Sequence, residues 1–114
     1  MAMSSSQYTP HRKIILFSSH QNEAAFLQQQ KIIRSDTAGM QERDIVIETH
    51  LLTKESKEIF TRYKALDTPF LFILIGKDGG EKLRSSQVIT THQLFGLIDQ
   101  MPMRRSEMHK QEKK

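Results

Sequence analysis

The stretch Thr68-Pro69-Phe70-Leu71-Phe72-Ile73-Leu74-Ile75-Gly76-Lys77-Asp78-Gly79-Gly80-Glu81-Lys82-Leu83-Arg84-Ser85 decides the fold. Phe70 to Ile75 is six consecutive apolar residues rich in β-formers, the longest such run in the chain. A continuous run of this length marks a strand buried on both faces, and so a central one. Pro69 fixes a sharp turn into it. Gly76 to Gly80 supplies the left-handed positions that a hairpin needs, and Glu81 to Ser85 alternates as an exposed edge strand does. The last two strands are therefore antiparallel neighbours.

Upstream, Ile14 to Phe17 is another short apolar run bounded by polar residues, and Asp44 to Glu48 repeats the pattern through Ile45, Val46 and Ile47. Both read as buried strands. Between them, Ser18 to Asn22 supplies capping residues for a helix running to about Ala38. Its face carries Ala25, Phe26, Ile32 and Ile33, and Gly39 is its stop signal. Thr53 is a candidate cap for a second helix, in which Ile59, Phe60, Tyr63 and Leu66 share one face before Pro69.

Downstream of the hairpin, Thr90 with Gln93 spells a capping box, and Ile89 with Leu94 stands where a hydrophobic staple would. Leu94, Phe95, Ile98 and Met101 form the apolar face of that helix, and Pro102 is expected to end it. Beyond Pro102 the chain reads as frayed, with Met103 and Met108 the residues that could pack back. The expected division is a disordered or vector-derived lead-in over 1–11, one domain over 12–103 and a basic tail over 104–114.

The order is β-α-β-α-β-β-α. Right-handed crossovers make the first two strands parallel, and the hairpin sets the third antiparallel beside the first. The expectation is an α/β fold of thioredoxin-like type, with a four-stranded mixed sheet of order 2-1-3-4 and helices on both faces. Thr68-Pro69, immediately before the third strand, resembles the cis-proline entry of thioredoxin-like domains; the resemblance implies a cis bond, and the residues themselves leave the isomer open.

Specific segments carry a resemblance. Glu42 to Ile47, Leu74 to Ser85 with its Gly-Lys-Asp-Gly-Gly core, and Leu97 to Met108 with Met-Pro-Met-Arg-Arg are similar to the DUDES domain family. These are thioredoxin-like domains of small bacterial proteins and of secreted matrix proteins with sushi repeats. The similarity spans roughly residues 12 to 108. It implies a thioredoxin-like fold and, by analogy of fold, peroxiredoxin-like or other oxidoreductase activity; it also makes an exported origin compatible with the chain.

The composition opposes that activity. The chain has 114 residues, 37% hydrophobic and 26% charged, and no cysteine. Thiolate chemistry, disulfides and every cysteine-containing metal site are excluded. Where a thioredoxin-like enzyme places its attacking cysteine, just after the first strand, this chain reads Ser18-Ser19-His20-Gln21-Asn22. The Ser18 and His20 spacing lacks the third group and oxyanion hole of a catalytic dyad. The five histidines show no metal-ligand spacing, and Gly76-x-x-Gly79-Gly80 joins two strands where a phosphate loop joins a strand to a helix. No cofactor, metal or catalytic residue is therefore assigned.

The formal charge of +4 is uneven. Residues 104–114 hold five basic residues against two acidic ones, a net of +3 that leaves only +1 for the rest. This distribution argues against a nucleic-acid surface. No apolar run approaches the ~20 residues of a membrane span.

The remaining candidates are binding groups. Ser18, Ser19 and His20, with Thr68 and Pro69 opposite, are expected to form a shallow pocket whose free backbone N–H groups favour an anion or a peptide carbonyl. Arg43, Lys82, Arg84, Arg104 and Arg105 lie inside the segments of resemblance; Arg104 and Arg105, folded back under the sheet edge, would pair with Asp99 or Glu107 or grip an acidic ligand. The exposed fourth strand offers an edge to a partner peptide or to a second copy of the domain, although its charges Glu81, Lys82 and Arg84 argue mildly against promiscuous pairing. The reading that results is a cysteine-free module that binds a protein or peptide and catalyses nothing; the alternative is an oxidoreductase of the peroxiredoxin-like kind.

Overall fold

The computed structural model describes residues 8–112. Its strands are β1 (Arg12–Ser18), β2 (Ile45–Leu51), β3 (Phe70–Ile75) and β4 (Glu81–Ser85). Its helices are α1 (Ala24–Arg34), α2 (Thr37–Glu42), α3 (Lys57–Arg62), α4 (Thr91–Ile98) and α5 (Pro102–Glu112). The sheet order is β2-β1-β3-β4, with β1 parallel to β2 and β3 antiparallel to both β1 and β4. This is the thioredoxin-like architecture that the sequence order implies.

Alternation along the strands builds two cores. Ile14, Leu16, Phe70, Phe72 and Leu74 face α1, α2 and α4 and pack with Phe26, Met40, Leu94 and Ile98. Ile15, Phe17, Leu71 and Ile73 face the other way, onto Phe60 of α3. In β3 the first five residues are buried, as a central strand requires. The hairpin turns through Gly79 at φ 83°, and α4 starts with the full capping box between Thr90 and Gln93.

Several local expectations are corrected. The helix expected to run to Ala38 breaks at Ser35 and restarts as α2, because the Asp36 side chain accepts from the Gly39 N–H at 2.8 Å. Gly39 is therefore no stop: it is buried inside α2, where a Cβ would stand 2.6 Å from Phe95 Cε2. α3 begins after Ser56 rather than at Thr53, and Leu66 lies in the turn beyond it, 42% exposed. β2 is an outer strand with Val46 and Ile47 on view, so its apolar run does not mark burial on both faces.

The chain does not fray at Pro102. Proline suits the first position of a helix, where its missing N–H costs nothing, and Pro102 opens the 11-residue α5. The expected disordered lead-in falls largely on residues 1–7, outside the described residues. Thr9 is anchored, its N–H donating to the Lys77 carbonyl at 2.8 Å. Among the described residues no helix is long and apolar enough to cross a membrane.

Candidate functional site

At the carboxyl ends of the parallel strands, Ser18 is flanked in register by Leu51 of β2 and Phe70 of β3. The Ser19 N–H donates to the Pro69 carbonyl at 2.9 Å, and the Leu52 N–H donates to the Ser18 carbonyl at 3.0 Å. The loop from Ser18 to Asn22 and the turn at Thr68 and Pro69 thus meet at one corner. His20, Gln21, Asn22, Leu52 and Pro69 are exposed there.

The corner differs from its expected chemistry in three ways. No peptide bond among the described residues is cis, so Thr68-Pro69 is trans. The buried Ser18 hydroxyl donates to the His20 carbonyl at 2.7 Å, so it meets the backbone and not the imidazole, whose Nδ1 accepts from the Asn22 N–H at 3.3 Å. The cap of α1 is Glu23, whose carboxylate accepts from the Phe26 N–H at 3.1 Å. A turn closed by the Glu23 N–H on the His20 carbonyl delays the helix past the Ser18 to Asn22 segment. The positive end of the helix is consequently occupied by the chain's own carboxylate, and an outside anion has no advantage there.

Two of the five basic candidates, Arg43 and Arg104, gather at the opposite end of the sheet. Arg43 grips Asp99 through Nε and Nη2 at 3.1 and 3.0 Å, donates to the Gly39 carbonyl, and lies 3.9 Å above the centre of the Phe95 ring. Arg104, 1% exposed, bonds Asp99 through Nε at 2.9 Å and Glu42 through Nη2 at 2.7 Å. Arg12 is equally buried. It donates to the Arg43 carbonyl at 2.8 Å and faces both oxygens of Glu107 at 3.3 Å. Lys77 joins Glu107 at 2.6 Å to Asp44 at 2.8 Å.

Arg12 and Lys77 escape the sequence reading, whereas the expected pairing of Arg104 with Asp99 and Glu107 is present, at 2.9 and 3.8 Å. Arg12 carried one available signal, a cation at the start of a strand whose next apolar run is buried. Its partner is 95 residues away, which no local pattern encodes.

Burial opposes ionisation of Glu107, yet the hydrogen bonds from Lys77 and Arg12 outweigh it and hold its carboxyl below the usual range. Asp99 is likewise depressed: desolvation works against Arg43 and Arg104, and the two guanidinium groups win. Lys77 and Arg104 are raised by the same carboxylates in spite of their burial.

Lys82 pairs with Asp78 at 2.8 Å, and Arg84 pairs with Glu81 through Nε and Nη2 while donating to the Tyr63 carbonyl. Arg105 is exposed on α5. A concavity of about 270 Å³ at the base of the sheet is lined by Arg12, Gly76, Lys77, Lys82, Met101 and Pro102 among others. Each of its three cations already holds a carboxylate, so the hollow is close to neutral. Of the ten binding candidates, the structure brings Ser18, Ser19, His20, Thr68 and Pro69 to one end, and Arg43 and Arg104 to the other.

This chain resembles solved thioredoxin-like structures. A thioredoxin-2 described as a component of the malaria parasite protein secretion machinery superposes with a TM-score of 0.63 at 15% identity, over 80% of this chain and 84% of that one. A second malarial protein gives a TM-score of 0.56 at 15% identity, over 78% of this chain and 94% of that one. At such identity the likeness is one of fold. No curated protein matches the sequence. A family described as a domain of unknown function, DUF4174, matches residues 5–107, nearly the whole chain, and the chain belongs to that family.

Proposed function

We propose that this protein is a non-catalytic thioredoxin-like module that binds an extended protein or peptide segment at the corner formed by Ser18 to Asn22 and Thr68 to Pro69. The observation that carries the reading is the Ser19 to Pro69 backbone contact. It keeps the corner assembled, with Leu52 and Pro69 exposed around polar Ser19 and His20, although the chain has no cysteine to act there. The Glu23 cap supports it as well, because a carboxylate at the start of α1 suits a peptide N–H better than a thiolate or a peroxide. The resemblance to DUDES domains, with which an exported origin is compatible, belongs to this proposal. Fold likeness alone argues for oxidoreductase activity, and fold does not carry function.

Amide NMR of the labelled chain, titrated with extended peptides and with reduced and oxidised glutathione, tests the reading. Peptide-induced shifts clustered at Ser18 to Asn22 and Thr68 to Phe70 are expected. Shifts confined elsewhere, or turnover of a disulfide or peroxide by the purified chain, would sink it.

A further inference from the structure

The two outer strands are guarded differently. β4 carries Glu81, Lys82 and Arg84, the charged residues with which natural sheets protect an edge. β2 presents Val46 at 39%, Ile47 at 40% and, one residue beyond it, Leu52 at 37% exposure, with a single carboxylate at its centre. A shallow hollow beside Ile47 and Thr49 leaves the α1 side of this edge uncovered.

The backbone directions of β2 follow from two hydrogen bonds. The Asp44 carbonyl accepts from the Arg12 N–H, and the Leu52 N–H donates to the Ser18 carbonyl. Even-numbered residues therefore turn their backbone groups toward β1. The odd-numbered ones, Ile45, Ile47, Thr49 and Leu51, turn theirs outward. Among the described residues the outward groups of Ile47 and Thr49 have no partner, while the Leu51 carbonyl accepts from Ser56 Oγ at 2.6 Å and keeps a second lone pair.

We propose that β2 pairs with β2 of a second copy of this chain, antiparallel about a two-fold axis at Thr49, joining two sheets into one of eight strands. Odd must face odd for the ladder to form, which permits only registers that differ by two in the sum of paired residue numbers. Centring the axis on Glu48 sets two carboxylates face to face. Centring it on His50 sets Glu48 against Leu52 and Val46 against Lys54. Centring it on Ile47 sets Val46 against Glu48. Only the axis at Thr49 matches every pair: Glu48 meets His50, Val46 meets Leu52 and Ile47 meets Leu51.

The charges are held ready for that match. Glu48 bonds His50 within its own strand at 2.6 Å and Lys13 at 3.0 Å, and His50 stacks on Phe17 with ring centres 5.4 Å apart. Hydrogen bonding from His50, aided by Lys13 and opposed by burial, holds the Glu48 carboxyl below its ordinary range. Across the two-fold axis the pairs become an alternating belt of carboxylate and imidazole, flanked by Lys13 from each copy.

An edge of this length buries less than the ~1,600 Å² of a standard interface, so association in the range from about 10 μM to 1 mM is expected. Sedimentation equilibrium of the full chain across that range tests it: the mass should rise toward twice 13.3 kDa. Thr49→Pro deletes only an outward N–H and should hold the chain monomeric with its circular dichroism and denaturation midpoint unchanged; Val46→Lys should weaken dimers in the same way. Because the chain lacks cysteine, an equimolar mixture of Val46→Cys and Leu52→Cys chains should oxidise to a mixed disulfide dimer, with little dimer from either alone. A monomer at the highest concentration, a dimer indifferent to both β2 variants, or cross-links within one variant in preference to the mixture would overturn the proposal. None of these outcomes depends on peptide binding at the Ser18 corner.

Discussion

Replacing Glu107 by Gln keeps the shape of the side chain and removes its charge. In the folded protein that charge faces Arg12 at 3.3 Å through both oxygens and Lys77 at 2.6 Å. Lys77 keeps Asp44 after the change, but Arg12, 1% exposed, loses the only carboxylate it pairs with among the described residues. Removing one partner of a fully buried pair costs roughly 3–5 kcal/mol. Glu107 retains 24% exposure, and a glutamine oxygen still accepts one hydrogen bond, which together place the expected cost at about 2–3 kcal/mol. For a domain of this size that lowers the melting temperature by roughly 8–15 °C. Urea unfolding of the two proteins at neutral pH measures the difference. The double variant Arg12→Met with Glu107→Leu should recover most of the loss, because an apolar pair needs no charge balance. A loss below about 0.5 kcal/mol for Glu107→Gln, or no recovery in the double variant, would refute the claim that α5 docks through a buried ion pair.

Phe60→Ala should cost about 3–5 kcal/mol in the same unfolding assay, since Phe60 is the buried anchor of α3 and meets Phe17 edge-on at 4.9 Å; a loss under 1 kcal/mol would mean that the α3 face is not a core. Lys64→Gly should raise stability by roughly 0.5–1 kcal/mol, because exposed Lys64 holds φ at 56° where glycine has no Cβ penalty; destabilisation would contradict it. Glu107 and Asp99 are depressed below their unfolded values, so what they contribute is complete above about pH 4–5 and is lost as pH falls through the lower folded values. An acid titration of unfolding free energy should therefore drop steeply below about pH 4.5, and less steeply in Glu107→Gln.

What was legible in the sequence is what local chemistry decides. The six-residue run of β3, the glycine turn behind it and the Thr90 to Gln93 box each state their structure within a few residues, and together they impose the sheet order. The place of β2 is not legible because Ile45-Val46-Ile47 looks the same at an edge as at a centre; its neighbours, not its composition, leave Val46 and Ile47 exposed. The helix that Pro102 opens is not legible because proline is compatible both with ending a helix and with opening the next, and the deciding contacts lie far off in sequence at Arg12, Glu42 and Lys77. At the Ser18 corner the residues were foreseeable and their bonding was not: the Ser18 hydroxyl turns to a carbonyl, and the cap passes to Glu23.

The fold changes the meaning of the positive charge. Counted along the chain, the excess sits in residues 104–114 and reads as a short, solvated terminus of mixed charge. In the fold, Arg104 leaves that excess and joins Arg12, Arg43 and Lys77 against Glu42, Asp44, Asp99 and Glu107, four cations matched by four carboxylates. A polyanion seeking those cations would have to displace carboxylates already at hydrogen-bond distance and expose two arginines that are 1% accessible. That cost falls on the fold itself, so the base of the sheet serves to fasten α5. The outward backbone of β2 differs in this respect, since among the described residues the N–H and carbonyl groups of Ile47 and Thr49 are not engaged.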